Sequence, residues 1–436
     1  MKRNSPSAAA LRFSAVERRL LLAVTSLPTA AGKESAIQQA IDAWAASLGA
    51  SVRVRRDRVG NALVSLRKGP APKLLITAHL DHPAFVVHRA VSERELELEF
   101  RGGVHDPYFE RAEIEVFDAG TGIAPARPPF KARITSLDSK AQPFKRVRAM
   151  IGDRTIDARS IAASSIARWS LPPAEITKGE LHTHACDDLA AVAASMILFT
   201  RLVRSERAKG VGLLFTVAEE VGFLGAIFAA TSGIIPRGAT LLCLENSRSF
   251  PHDSPIGAGA ILRVGDRLSV FTPTVTNALT QLYQQHATKH AGFKWQRKLM
   301  PGGACEATAF AALGHASTCL CLPLGNYHNM CDIDGVLAGK RPARIGREFV
   351  ALSDVESLIA MLQLAVGGLA SPSQPRRTGR VGRGRTGRTG RTGQTGRTKR
   401  TAASAATAAG SLGDFRPMME KLWRERSKSV LGAAMR

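Results

Sequence analysis

Four short apolar runs in this chain each lead into residues that can bind a metal: LLITA into His79, GLLFTVA into Glu219 and Glu220, LLCL into Glu245, and STCLCLPLG toward His328. Short, continuous runs of this kind read as strands covered on both faces, the texture of an open α/β sheet flanked by helices. In such a sheet ligands bind in the crevice beyond the carboxyl ends of the strands, so residues that follow the strands converge there. A further acid, Asp187, heads DDLAAVAASMILFTRL, which reads as a helix packed on the same sheet. Imidazole and carboxylate groups gathered at one sheet edge point to a site for two divalent metal ions and to hydrolysis.

The roles divide by position. In AHLDHPAFVV, Asp81 lies two residues beyond His79 on the same face of an extended segment, so its carboxylate is expected to accept the second imidazole N–H and fix the ring. Asp187 is the expected bridge between the ions, with Asp188 as a helix cap or a support for the ligands. Adjacent carboxylates at a strand end point in different directions, so Glu220 can bind a metal while Glu219 stays free as a general base. Each residue alone has a blander reading: a histidine after a strand is usually a hydrogen-bonded core group, DD before a helix an N-cap, and EE a solvated face. The set overrides these readings because every candidate falls at the same edge. The other histidines, His82 and His184 among them, read as surface or supporting groups.

The chain changes character twice. Residues 35 to 48 read as a helix, and Val52–Arg56 and Ala62–Leu66 as strands joined through Gly60 and Asn61. From about Arg89 to Lys178 the pattern turns to short alternating stretches such as ELELEF and KARITSL, broken by Gly and Pro, as in a small β-barrel. Strand and helix alternation then resumes to about Leu369. The expected organisation is an α/β domain with a mixed sheet (residues 1–88 and 179–369) and an inserted β-barrel-like lid or oligomerisation domain (89–178). An Arg/Gly/Thr-rich linker (370–411) and a short amphipathic helix (412–436) follow.

Charge is uneven. Of the formal net charge of +24, the stretch Arg376 to Arg400 supplies ten basic residues and no acid, in a repeat of Arg, Thr and Gly with almost no apolar surface. Such a tract is expected to be disordered. Two readings stand for it: a solvated extension, or a weak contact with nucleic acid or another polyanion, since arginines release counterions from phosphates. The helix beyond it carries Phe415, Met418, Met419, Leu422 and Trp423 and is expected to dock on the body or on another subunit. No run approaches 18 uninterrupted apolar residues, so no membrane span is expected. Glu17, Arg18 and Arg19 ahead of LLLAV suit an amphipathic first helix better than a signal peptide. Six cysteines without a CxxC pair suit a reducing cytoplasm, and Cys319 and Cys321, on one face of a strand, read as small buried apolar groups.

In order along the chain, TAHLDHPAFVV, HACDDLAAV, LLFTVAEEVGFLGA, LLCLENS and PGGACEATAF followed by LPLGNYHN resemble the motifs of the TET and glutamyl aminopeptidases, a family of co-catalytic metallopeptidases. The resemblance spans most of the chain ahead of the basic tail and includes the inserted β-domain, which in that family lies between the first histidine and the bridging aspartate. It implies that His79 and Glu245 bind one ion, Glu220 and His328 the other, that Asp187 bridges them, and that Glu219 activates the attacking water. The ions it implies are two divalent metals, zinc above all, with cobalt or manganese as alternatives. This chain departs from the pattern at His82, Leu189, Cys305 and Glu306, which marks a divergent branch.

The expected function is a metal-dependent aminopeptidase acting on short peptides, as a homo-oligomer. The alternatives are a carboxypeptidase, dipeptidase or amide deacylase on the same scaffold, or a non-catalytic metal-binding protein tethered to nucleic acid by its tail.

Overall fold

The structure, a computed structural model, describes residues 13–119, 127–370 and 415–432. Helix α1 (Ala15–Thr25) starts at a capping box formed by Ser14 and Glu17, which satisfies two amides that the first turn leaves unpaired. After α2 (Ser35–Ser47) come the expected strands β1 (Val52–Arg56) and β2 (Ala62–Leu66), then β3 (Leu74–His79). The chain next builds a closed barrel from β4 (Ala84–Ala90), β5 (Glu95–Arg101), β6 (Glu113–Phe117), β7 (Phe130–Asp138), β8 (Lys145–Ile151) and β9 (Ile166–Trp169), arranged β4-β5-β8-β7-β6-β9. Alternation along β7 buries Phe130, Ala132 and Ile134 and exposes Lys131 and Arg133 between them, as a strand with one wet face requires. Inside, the rings of Phe85, Phe100, Phe109 and Trp169 meet mostly edge-on with centroids 4.8 to 6.1 Å apart. A Phe→Ala change in that cluster would cost about 3–5 kcal/mol.

Strands β10 (Glu175–Thr177) and β11 (Glu180–Thr183) lead out of the barrel. There follow α3 (Leu189–Arg204), β12 (Val211–Thr216), α4 (Leu224–Ser232), β13 (Thr240–Arg248), β14 (Ile261–Gly265), α5 (Pro273–Ala287) and β15 (Gln296–Leu299). Then come α6 (Glu306–Ala312), β16 (Ser317–Leu324), α7 (Ile333–Leu337), β17 (Glu348–Ala351) and α8 (Leu352–Ala365). A mixed eight-stranded sheet runs β1-β2-β12-β3-β13-β16-β14-β15, and β10-β11-β17 form a small antiparallel sheet. Every residue of β3, β12 and β16 is buried, which is why these strands read as continuous apolar runs rather than alternating ones. Helix α3, buried nearly all round, packs on the sheet against α1 and beside α8, which also touches the sheet.

Among the described helices, Leu352–Leu369 is apolar and long enough to cross a membrane by composition; just over half of it is buried in the core. The segment expected as a terminal helix over 412–436 forms α9 (Arg416–Leu431), which docks on the body through Met419, Val430 and Leu431. The linker expected over 370–411 lies outside the described residues apart from Ala370. All six cysteines are buried and free.

Candidate active site

Strands β12, β3, β13 and β16 are parallel neighbours, so their carboxyl ends open on one edge. His79 ends β3, Glu219 and Glu220 occupy the turn after β12, and His328 lies in a short 3-10 turn after β16. Two placements differ from the sequence reading. Glu245 is inside β13, which continues to Arg248, and Asp187 stands ahead of α3, joined to Asp188 by a cis peptide bond.

The side chains converge in two groups that share Asp187. His79 Nε2 lies 3.3 Å from Asp187 Oδ1 and 3.5 Å from Glu245 Oε1. On the other side, His328 Nε2 lies 3.4 Å from Asp187 Oδ2 and 3.3 Å from Glu220 Oε1. One carboxylate therefore offers one oxygen to each group. His79 Nε2, Asp187 Oδ1 and Glu220 Oε1 are buried yet make no hydrogen bond, and buried polar atoms seldom go unpaired without a ligand to satisfy them. A tetrahedral ion with bonds of about 2.0–2.1 Å has ligand-to-ligand edges of about 3.3–3.4 Å, which is the spacing found. The residues thus fit two divalent ions.

The local electrostatics agree. Burial alone would lower the pKa of His79, but Glu219, Asp187, Asp81 and Glu245 around it raise it well above the usual range. His328 is raised in the same way by Glu220 and Asp187. Burial works to raise Asp187, yet His328 and His79 hold it far below an ordinary carboxylate. Burial, then the Asp187 charge, pushes Glu245 up to about 7. Burial also pushes Glu219 well up; His79 opposes this, while Glu245, Glu220 and Asp81 reinforce it. Carboxyls held up by one another in a closed site are the environment that added cations relieve.

Behind the candidate ligands stands a set of acids that hold backbone, one of which, Asp188, also lies within reach of the group formed by His79, Asp187 and Glu245. Asp81 was expected to grip the His79 ring through its carboxylate. The ring Nδ1 lies 3.5 Å from Asp81 Oδ1 and, nearer, 3.1 Å from the Asp81 carbonyl, and the carboxylate also accepts the amides of Glu219 (2.9 Å) and Glu220 (3.0 Å). Asp188 makes no side-chain cap on α3; it accepts the His79 amide at 3.2 Å and Asn246 Nδ2 at 2.8 Å. Glu348, fully buried on β17, was not anticipated: Oε2 accepts the amides of Cys186 (2.7 Å) and Asp187 (3.0 Å), and Oε1 that of His328 (2.7 Å). Glu34 accepts the amides of Gly32 (2.7 Å) and Ala218 (2.9 Å). Two further contacts steady the candidate ligands. His82, read as a surface or supporting group, is buried with Nδ1 2.5 Å from the Asp187 carbonyl, and Gly103 in the barrel places its carbonyl 2.6 Å from His328 Nδ1.

A cleft of about 950 Å³ opens over this cluster between the sheet and the barrel. Glu219 and Glu220 line it, with Val104 and Met330 on the barrel side and Arg263 and Met300 opposite. Arg263 is almost fully buried and donates from Nη1 to Ser247 Oγ at 3.2 Å.

The chain belongs to the M42 glutamyl aminopeptidase family, whose model matches residues 60–341. Solved structures share the fold. The TET1 peptidase of Pyrococcus horikoshii, which can assemble into a tetrahedron or a large octahedral shell, superposes with a TM-score of 0.62 at 18% identity, covering 80% of this chain and 99% of that one. A TET aminopeptidase from the marine sediment archaeon Thaumarchaeota gives 0.63 at 16% identity, with 80% and 96% covered. An M18-family aminopeptidase from Thermotoga maritima gives 0.58 at 12% identity, with 81% and 96% covered.

Proposed function

We propose that this chain is an aminopeptidase that removes N-terminal residues from short peptides using two divalent ions, zinc first among them. The observation that carries the proposal is the sharing of Asp187 by two ligand groups while Glu219, beside them in the cleft, belongs to neither. When bound, the ions would polarise the scissile carbonyl and acidify the attacking water. Glu219 takes a proton from that water as its oxygen bonds to the carbonyl carbon; the C–N bond then breaks and Glu219 returns the proton to the leaving nitrogen. Its raised pKa suits both transfers, because the group that accepts the proton must also give it up. Asp81 keeps the turn in place for this exchange by holding the amides of Glu219 and Glu220.

Arg263 places a buried cation on the cleft wall, which supports a preference for acidic side chains at the cleaved position. The ability of the Pyrococcus horikoshii relative to form closed shells supports a homo-oligomer here, with light scattering as its test: a monomer at micromolar concentration would rule it out.

The test of function is a panel of glutamyl, leucyl and lysyl peptides assayed with zinc, cobalt and manganese, each peptide also N-acetylated and C-amidated. N-acetylation is expected to nearly abolish cleavage and amidation to matter little, with glutamyl peptides cleaved fastest. The opposite end-dependence would establish a carboxypeptidase, and no cleavage with any metal would overturn the proposal. Glutamyl peptides cleaved no faster than the others would remove the role given to Arg263 alone.

A further inference from the structure

The turn that carries Glu219 and Glu220 is held on its inner side by acceptors for its amides. Asn61 Oδ1 takes the amide of Val217 at 3.1 Å, Glu34 that of Ala218, and Asp81 those of Glu219 and Glu220. The turn needs such support because its backbone is unusual: Ala218, Gly222 and Phe223 all have positive φ, at 53°, 111° and 60°. For Ala and Phe that conformation is unfavourable and persists only where surroundings enforce it.

The outer side of the same turn is covered by α9, which lies outside the residues matched by the family model. Arg426 Nη1 donates to the carbonyl of Val221 at 2.9 Å. Leu422 packs so closely over Gly222 that a Cβ on that glycine would sit 3.2 Å from Leu422 Cδ2. The Trp423 ring stacks on Phe228 of α4, the helix that starts as the turn ends, at 5.7 Å and 22°. A second contact reaches the brace behind the turn. Val430 packs against Gly32, whose amide bonds Glu34, and Arg101 joins the carbonyls of Ala31 (2.8 Å) and Ser429 (3.4 Å). Helix α9 thus touches the glutamate turn and also the segment that holds the Ala218 amide from behind.

We propose that α9 is a clamp for the catalytic turn: Arg426, Leu422 and Trp423 act as positioning residues that fix Glu219 and Glu220. The proposal rests on the reading of Glu219 as the base and Glu220 as a ligand. Were α9 only a cover for apolar surface, its loss would lower stability and leave the turn and turnover alone. As a clamp, its loss lets the turn relax, and a displacement of about 1 Å in a reacting group costs up to about a hundredfold in rate.

The experiment uses the full chain with its metals. Arg426→Ala and the pair Leu422→Ala with Trp423→Ala are compared with wild type and with Arg426→Lys, which retains a donor but not the guanidinium geometry. Hydrogen exchange at the amides of 416–431 shows whether α9 has been released, and exchange at 217–223 shows whether the turn has loosened. Release is expected to speed exchange at 217–223 and to cut kcat by about tenfold or more with KM within about twofold. Arg426→Lys is expected to fall between. Release of α9 without faster exchange at 217–223, or with faster exchange and unchanged kcat, overturns the proposal, as does an Arg426→Ala variant equal to wild type in both readouts. Glu219→Gln serves as the control. It is expected to keep its metals while turnover falls by a factor on the order of 10²–10⁴. If that variant is fully active the assignment of the base fails, while the exchange at 217–223 still decides whether the clamp exists.

Discussion

Glu348→Gln is the sharpest perturbation this site offers, because it changes one oxygen to one NH₂ without altering volume. In the native protein the Glu348 carboxylate faces only donors, the amides of Cys186, Asp187 and His328 at 2.7 to 3.0 Å, in a place with no access to water. A glutamine can keep one acceptor oxygen. If that oxygen stays with Cys186 and Asp187, its NH₂ opposes the His328 amide; if it flips, the NH₂ opposes the other two. Either way at least one charge-assisted bond, worth about 1.5–3 kcal/mol, becomes a donor facing a donor, and that amide is left unpaired at a cost of about 1–3 kcal/mol. The local penalty is about 2.5–6 kcal/mol, and it falls on the backbone that carries the shared Asp187 and His328. Part of it is relieved by backbone movement, so metal affinity is expected to drop by about tenfold to a hundredfold, as is usual when a group behind a ligand is lost.

The loss should be uneven. Asp187 serves both groups, but His328, the other residue whose amide Glu348 holds, belongs only to the group with Glu220, whereas His79 and Glu245 hang on other segments. Competition against a graded chelator, with metal content read by mass spectrometry, should show one ion per chain released before the other, with circular dichroism unchanged. Equal retention of both ions at wild-type affinity would refute the idea that Glu348 organises the site, and so would their simultaneous loss with an unfolded spectrum.

Metal binding should expel protons: His79 and His328 have raised pKa values before metal binds and must bind as neutral imidazoles, so affinity should fall as pH drops from 8 to 5. Calorimetry at pH 7 in two buffers of different ionisation heat should show protons released on metal binding, and none released would refute it. Without metal, the stability of the fold should fall as pH rises from about 4.5 to about 8. Burial and nearby acids hold Glu34 up to about 8 and Glu245 and Glu306 up to about 7, so the folded chain binds protons there that the unfolded chain has lost. A thermal midpoint of the metal-free protein that rises over this window would contradict that sign. Replacing the arginines and lysine of 376–400 by serine should leave peptide hydrolysis unchanged and remove any salt-sensitive binding to RNA. RNA binding that survives the replacement would clear the tail of that role.

What was legible in the sequence was what leaves a local pattern. His79, Glu220, Glu245 and His328 lie in or just after strands buried on both faces, and such strands are conspicuous as apolar runs. The hairpin Val52–Leu66 was legible for the same kind of reason, through a turn residue pair between alternating stretches. Glu348 was not, because its partners are 20 to 162 positions away and an acid that accepts distant amides imposes no spacing on its neighbours. Only half of the use of Asp81 was legible, for a related reason: its nearest group in sequence is the His79 ring, but its carboxylate also reaches amides 138 and 139 residues on. Nothing in FRPMMEKLWRERSKSVL said that its apolar face would meet Gly222, since docking is decided by the complementary surface and not by the helix alone.

The supporting acids share a logic that neutral residues would not supply. Asp81, Asp188, Glu34 and Glu348 each accept an amide from a segment that carries or adjoins a candidate ligand, and each is nearly or fully buried. An asparagine could accept the same amides, as Asn61 does for Val217, one step further from the cluster. Using carboxylates next to the ligands adds negative potential where the cations bind, so the same atoms that fix the backbone also strengthen the hold on the ions. The cost is mutual repulsion when the ions are absent, and it shows in the raised pKa values of Glu34, Glu348 and Asp188, which burial drives and neighbouring acids reinforce. On the two-metal proposal, metal binding would therefore be coupled to the integrity of this sheet edge: the acids that would make the ions bind tightly are the groups that strain the fold without them.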